Sequence, residues 1–126
     1  MKNNPKLIIE DSILTIILSG NKVSKCINSV PFIVDYDIED EYVIGIENVN
    51  FFTDTGGKSV ALDGFNDEFD GLLWDISYDP SCDAVAIDFS QKDSKSGFVK
   101  HISGDVFLDE SDAIIGVEIN LLNDSS

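Results

Sequence analysis

Val43-Ile44-Gly45-Ile46-Glu47 and Ile114-Ile115-Gly116-Val117-Glu118 are the two segments of this 126-residue chain that decide its fold. Each one follows an acidic turn, at residues 35–41 in the first half and at residues 109–112 in the second. An aspartate precedes each glycine by a similar interval, which is 34 residues from Asp11 to Gly45 and 33 residues from Asp83 to Gly116. The same motif thus occurs twice, each time at a similar distance after an aspartate, and this predicts an internal repeat.

The apolar residues around these segments are spaced as in β-strands. Residues 84–89 alternate between apolar and small or polar side chains, and residues 13–18 form a strand-sized apolar run. We therefore expect a single domain over residues 1–126 of the α+β class, mostly antiparallel β. It would contain two tandem four-strand meander copies, at about residues 7–52 and 74–122. The glycine of each copy is expected at a β-bulge or where two strands approach closely.

The connector between the two copies, residues 53–73, contains the one helix candidate. Asn66 is suited to cap a helix, and Asp67 and Glu68 would lie favourably in its first turn. The apolar residues at positions 69, 72 and 73 would share one face. Because Gly71 disfavours a helix, an ordered loop lying on the sheet is the alternative.

The second copy carries a series of motifs that resembles a known family. It begins with Tyr78-Asp79-Pro80, continues with a strand over residues 83–87, and closes with Gly116-Val117-Glu118-Ile119. Over residues 76–122 the chain resembles a widespread family of small bacterial and phage domains of unknown function. The resemblance implies a compact β-meander and no known chemistry. The first copy departs from that pattern because it has no Tyr-Asp-Pro turn.

Composition excludes several classes of partner. The formal net charge is −16, with no arginine and one histidine, so binding to nucleic-acid phosphates or to an anionic membrane surface is not expected. The apolar run at residues 7–9 is too short for a secretory signal, which predicts a cytoplasmic protein. Cys26 and Cys82 have no metal-ligand spacing and are predicted to be reduced, partly buried thiols, with a disulfide as the alternative.

The sequence offers no recognisable catalytic constellation. His101 is the only histidine, and its place in an alternating strand predicts a partly exposed side chain rather than a catalytic base or a zinc ligand. Residues 35–39 have three alternating acids but lack the glycine of a calcium loop, which leaves weak calcium binding at most. We expect no catalytic residues, no metal and no cofactor. A small hydrolase that uses a pair of carboxylates is a weaker alternative.

The negative charge is unevenly distributed along the chain. Residues 1–34 carry +2, residues 35–75 carry −11, and residues 76–126 carry −7. Such a concentration predicts either a solvated surface or a negative face for a positively charged partner. The residues expected to contact the partner are Asp35, Asp37, Glu39, Asp40, Glu41, Asp63, Asp67, Glu68 and Asp70. Aromatic side chains of the same region, such as Tyr36 and Phe51, are candidate interface anchors.

These observations favour an acidic, non-catalytic binding protein. In overall character the chain is similar to bacterial toxin-immunity proteins, which would have it cover the active site or the substrate-binding surface of a basic, nuclease-type toxin. Outside that complex we expect a monomer. The alternative is a structural or assembly β-domain that acts through a sheet edge or through contacts between copies of itself.

Overall fold

The alternating apolar segments form strands in the computed structural model, which describes residues 6–38, 42–61, 68–69, 72–91 and 96–124. Its elements in chain order are β1 (Lys6–Glu10), β2 (Ile13–Ile17), β3 (Lys25–Asp37), β4 (Val43–Asn48), α1 (Phe51–Thr55), β5 (Ser59–Val60), β6 (Glu68–Phe69), β7 (Leu72–Asp79), β8 (Ala84–Gln91), β9 (Ser96–Leu108) and β10 (Ala113–Asp124). The structure is therefore mostly antiparallel β with very little helix.

The strands belong to one curled sheet that forms a half-barrel. Its order is β1-β2-β10-β9-β3-β4-β8-β7-β6, and the short β5 pairs in parallel with β10. The 13-residue strands β3 and β9 pair with each other at the centre. The inner side of the curl holds the hydrophobic core, whose largest fully buried side chains include Phe51, Leu14, Ile16, Ile46, Ile87, Ile102 and Ile119. One face of each strand is thus left for solvent or a partner.

The hairpins of the two halves alternate along the sheet. When the two-residue β6 at one end is set aside, the strand order reads the same from both ends after β1 to β4 are exchanged with β7 to β10. Matching positions have matching partners, since Gly45 lies opposite Asp88 in β8 while Gly116 lies opposite Ile17 in β2. However, β2 pairs with β10 rather than with β3, and β8 pairs with β4 rather than with β9. The sheet therefore does not contain two separate four-strand meanders side by side.

The expectation for the two glycines is confirmed in both halves. The register of β3 on β4 shifts beside Gly45, and the register of β9 on β10 shifts between Ile114 and Gly116. A Cβ atom at Gly45 would lie 3.1 Å from the carbonyl oxygen of Ile87, and one at Gly116 would lie 3.1 Å from that of Ile16. Each glycine therefore lies at a bulge and lets a neighbouring strand approach closely.

The helix expected in the connector is wrong. Residues Glu68–Phe69 and Leu72–Asp79 are extended, and β7 pairs with β8 along its whole length from Leu72 to Asp79. Pairing with a neighbouring strand outweighs the weak local preference for a helix. Asn66, the proposed cap, lies outside the described residues.

The helix of the described chain is α1, which spans the boundary between the first copy and the connector, where no helix was expected. Asn50 at its N-terminus makes no capping hydrogen bond with its side chain. Asp83, from the turn between β7 and β8, accepts hydrogen bonds from the backbone N–H groups of Phe52 (3.1 Å) and Thr53 (2.9 Å) and from the Thr53 hydroxyl (2.7 Å). The Tyr78 hydroxyl donates another at 2.8 Å. A side chain distant in sequence thus caps this five-residue helix.

Hydrogen bonds to Asp83 make the stability of the protein depend on pH. The bonds from Thr53 contribute most, and the pKa of Asp83 falls from 3.8 to about 2. Since the folded pKa is below the unfolded one, this stabilisation is present above pH 3.8 and is lost as the pH falls toward about 2. We expect Asp83→Asn to lower the melting temperature at neutral pH and to flatten its decline in acid. Thermal unfolding across this range, with Asp11→Asn as the control, measures both; a profile unchanged by Asp83→Asn would contradict the capping role.

The structure also describes both cysteines, and its helix can be compared with one that crosses a membrane. Cys26 and Cys82 are both free thiols, as predicted, but they are exposed rather than partly buried. Among the described residues no helix has the length and apolar character needed to cross a membrane.

Candidate acidic interaction face

Carboxylates project from the outer side of five adjacent strands. For four of them both neighbours in sequence are buried, so strand alternation turns the acidic side chain outward. We call this surface the acidic face, and its described members are Asp35 on β3, Glu47 on β4, Asp88 on β8, Asp105 on β9 and Glu118 on β10. The curl of the sheet places the acidic face on the side opposite the core.

Strand register fixes the spacing of these carboxylates. Asp35 and Asp88 lie on either side of Gly45 in one row across three strands. The missing side chain of Gly45 leaves room for its neighbour, because a Cβ atom there would lie only 2.7 Å from Asp88 Oδ1. Asp105 and Glu118 are directly opposite each other across β9 and β10. Backbone pairing thus holds Asp105 beside Glu118 and places Asp35 and Asp88 in one row, two strands apart.

The acids of this face influence one another electrostatically. Partial burial raises the pKa of Asp35, and the negative charge of Glu47 raises it further. Slight desolvation raises the pKa of the exposed Cys26 thiol, and the negative charges of Asp105 and Glu118 raise it further. Like charges placed opposite each other destabilise a sheet. The fold therefore contains a repulsion between carboxylates that would be absent if these acids were spread over the whole surface.

The two lysine ion pairs of the described residues lie outside the acidic face. Lys25 and Lys58 both bind Asp112, at 2.7 Å and 3.7 Å between nitrogen and oxygen, in the turn before β10. No described lysine lies within ion-pair distance of Glu47, Asp105 or Glu118. The negative potential of these carboxylates is therefore directed toward solvent.

A cleft of about 330 Å³ adjoins the acidic face above β4, β8 and β7. Ala84 and Ala86 contribute small side chains to its wall, and Val49, whose side chain is 58% exposed, contributes an apolar one. Glu47 and Asp79 are its acidic residues. An apolar surface next to carboxylates suits a side chain with an aliphatic stem and a cationic end, as in lysine and arginine.

The predicted contact residues have different outcomes. Asp35 lies on the acidic face, half-buried between neighbouring strands. Asp37 is only 4% exposed, so its expected availability at the surface is wrong: the end of β3 turns this carboxylate inward. Glu68 lies in β6, but the described part of the structure does not include its side chain, so its contact stays a prediction. Six others lie outside the described residues and stay predictions: Glu39, Asp40, Glu41, Asp63, Asp67 and Asp70.

Four members of the acidic face were missed by reasoning from charge runs. Glu47, Asp88, Asp105 and Glu118 each stand alone in an apolar strand, so no local cluster marks them. A signal was nevertheless present, because the repeated motif ends in a glutamate two residues after its glycine in both halves. Glycine and glutamate at this spacing share one face of a strand.

The described residues offer no metal site, and their histidine lies in a strand. They contain no group of three or more histidine, cysteine, aspartate or glutamate side chains that could hold a metal ion. His101 is exposed on β9, on the same side as Val99, in agreement with the sequence pattern.

Comparison of the chain with protein-family models, with curated proteins and with solved structures finds no match in any of the three.

Proposed function

We propose that this chain is an acidic, non-catalytic binding protein that neutralises a basic, nuclease-type toxin, as an immunity protein does. The acidic face is the observation that carries the proposal. Asp105 and Glu118 are held opposite each other at a cost in stability, and no described lysine pairs with either. A surface that concentrates one sign of charge is suited to a partner of the opposite sign.

The proposed partner is a protein whose substrate-binding surface is rich in lysine and arginine. A nuclease needs such a surface for the phosphates of its substrate, and the acidic face would cover it. One basic side chain would enter the cleft next to Glu47, with its stem against Ala84 and Ala86. Electrostatic steering would make association fast, which an inhibitor of a lethal enzyme requires.

We also infer that the two halves are copies of one unit, as the repeated motif predicted. The supporting observations are the exchangeable strand order and the bulge beside each glycine. In this proposal each copy contributes two hairpins, and the glutamates Glu47 and Glu118 are equivalent positions on the acidic face.

Co-expression with a toxin tests the proposed function. The probe is a basic, nuclease-type toxin domain produced in a host that it kills, taken from the gene directly upstream of this chain where that gene encodes a secreted effector. We expect the wild-type chain to restore growth. With the purified domains, the association rate should fall steeply with ionic strength, and Glu47→Gln, Asp105→Asn and Glu118→Gln combined should lower it about tenfold.

A charge-matched variant distinguishes the effect of the acidic face from the effect of net charge alone. Asp11→Asn, Asp54→Asn and Glu110→Gln remove the same three charges from described positions outside the acidic face. This control should protect the host and associate as the wild type does. Absence of protection by the wild-type chain, or equal loss in both variants, would contradict the proposal.

A further inference from the structure

Among the described residues, the first strand has a paired strand on only one side of its backbone. β1 is the terminal strand of the sheet and pairs with β2 on that side. The two-residue turn between them, with positive φ at Asp11 and Ser12, makes Glu10 and Ile13 the hydrogen-bonded pair next to the turn. Hydrogen bonding then alternates along β1. The N–H and C=O groups of Leu7 and Ile9 therefore point away from β2, toward the open edge.

The sequence of this strand, Lys6-Leu7-Ile8-Ile9-Glu10, is complementary to itself when reversed. An antiparallel second copy with Ile8 opposite Ile8 would place Lys6 opposite Glu10 at both ends. It would also pair Leu7 with Ile9, the residues whose backbone groups face the edge. Shifting the second copy by two residues along β1 keeps the same backbone hydrogen-bonding pattern, but it places Lys6 or Glu10 opposite Ile8. Among these registers, one therefore satisfies the backbone and the charges together.

The side chains along this edge are unusually apolar for an open one. Ile8 is 40% exposed and Ile9 is 47% exposed, and the neighbouring Ile17 on β2 is 36% exposed. Open edges are commonly protected by repeated charges, by proline or by a bulge. Here the strand balances one lysine against one glutamate in a chain of net charge −16. The strand therefore has no net charge, and two copies of it would not repel each other at this edge.

We propose that β1 is a docking edge for a second copy of this chain, which it pairs in antiparallel fashion to give a symmetric dimer with one continuous sheet. Ile8 packs against its own copy, and Ile9 packs against Leu7 of the other chain. This dimer replaces the expectation of a monomer. It is independent of the proposed toxin inhibition, because the acidic face lies on β8, β4, β3, β9 and β10 and stays open.

Charge reversal tests the edge and its register together. Sedimentation velocity of the full chain should show a monomer–dimer equilibrium as the concentration rises from micromolar to millimolar. Lys6→Glu and Glu10→Lys, taken singly, each place like charges opposite each other at both ends, and each should raise the dissociation constant at least about tenfold. The double variant restores opposite charges and should restore the dimer.

Matched reversals at other exposed sites provide the controls. Lys22→Glu and Glu110→Lys change the net charge equally and should leave the dissociation constant within about twofold. A wild-type chain that is monomeric throughout would overturn the proposal. So would a dimer that the single reversals leave intact, or one that the double variant fails to restore.

Amide hydrogen exchange gives a second readout that needs no variant. The N–H groups of Leu7 and Ile9 should exchange more slowly as the protein concentration rises. The N–H group of Ile8 already pairs with Thr15 and should change less. Equal behaviour of the three amides at all concentrations would count against pairing at this edge.

Discussion

Phe51→Ala is expected to lower the free energy of unfolding by about 3–5 kcal/mol, which is the usual loss for a fully buried phenylalanine. Phe51 is 0% exposed and belongs to the core, where helix α1 holds it against the inner side of the sheet. Truncation would leave a cavity that the paired strands cannot close. Because domains are stable by only about 5–15 kcal/mol, this one change removes a large share of the total.

Urea unfolding with an unchanged denaturant dependence would measure this loss. Val49→Ala, at a neighbouring side chain that is 58% exposed, is the control and should cost less than about 0.5 kcal/mol. The comparison also separates two interpretations of Phe51, because the sequence alone made it a candidate interface anchor. A loss as small as that of Val49→Ala would show that Phe51 does not support the core.

Asn48→Ala is expected to cost about 2–4 kcal/mol, since three hydrogen bonds of a buried side chain are lost: two to backbone groups and a longer one, at 3.4 Å, from Nδ2 to Asp54 Oδ2. Asn48 is 2% exposed at the end of β4. Its amide Nδ2 donates to the carbonyl oxygen of Pro31 at 2.6 Å, and its Oδ1 accepts from the N–H group of Asn50 at 2.8 Å. One side chain thus joins the centre of β3 to the entry of α1. Removing it leaves both backbone groups without that partner.

An isoleucine at the same position distinguishes hydrogen bonding from packing. The matching position in the other half is Ile119, which lies opposite Leu14 just as Asn48 lies opposite Val85. Asn48→Ile therefore suits the sheet but makes none of these hydrogen bonds, and we expect most of the loss to persist. Asn50→Ala, at an exposed residue, should have little effect. Full recovery in Asn48→Ile would assign the effect to packing instead.

The sequence was most informative where backbone geometry demands a particular residue. Gly45 and Gly116 marked two bulges correctly, because glycine lets the neighbouring strand approach closely at both positions. The apolar run at residues 13–18 likewise indicated a strand, and β2 covers Ile13–Ile17. In these places the information that fixes the structure lies within a few residues.

Features that depend on distant residues could not be read in this way. α1 has five residues, too few for helical periodicity, and its cap is Asp83, 30 residues from Thr53. The acidic face gathers single acids from five strands, and only the strand order brings Glu47 and Asp105 to the same surface. The expected cluster at residues 35–41 was partly misplaced, because Asp37 turns inward at the end of its strand.

The alternation of hairpins also has a consequence for how the chain reaches its native state. Strands β2, β3 and β4 each need a neighbour from the second half, and the central pair joins Phe32 to Ile102. Contacts over such sequence separations carry a large loop-closure entropy, so folding is expected in milliseconds to seconds rather than microseconds. During synthesis the first half emerges with β2, β3 and β4 each still lacking one of their two neighbours. Strands β2 and β9 therefore gain their shared neighbour only once β10 has been synthesised.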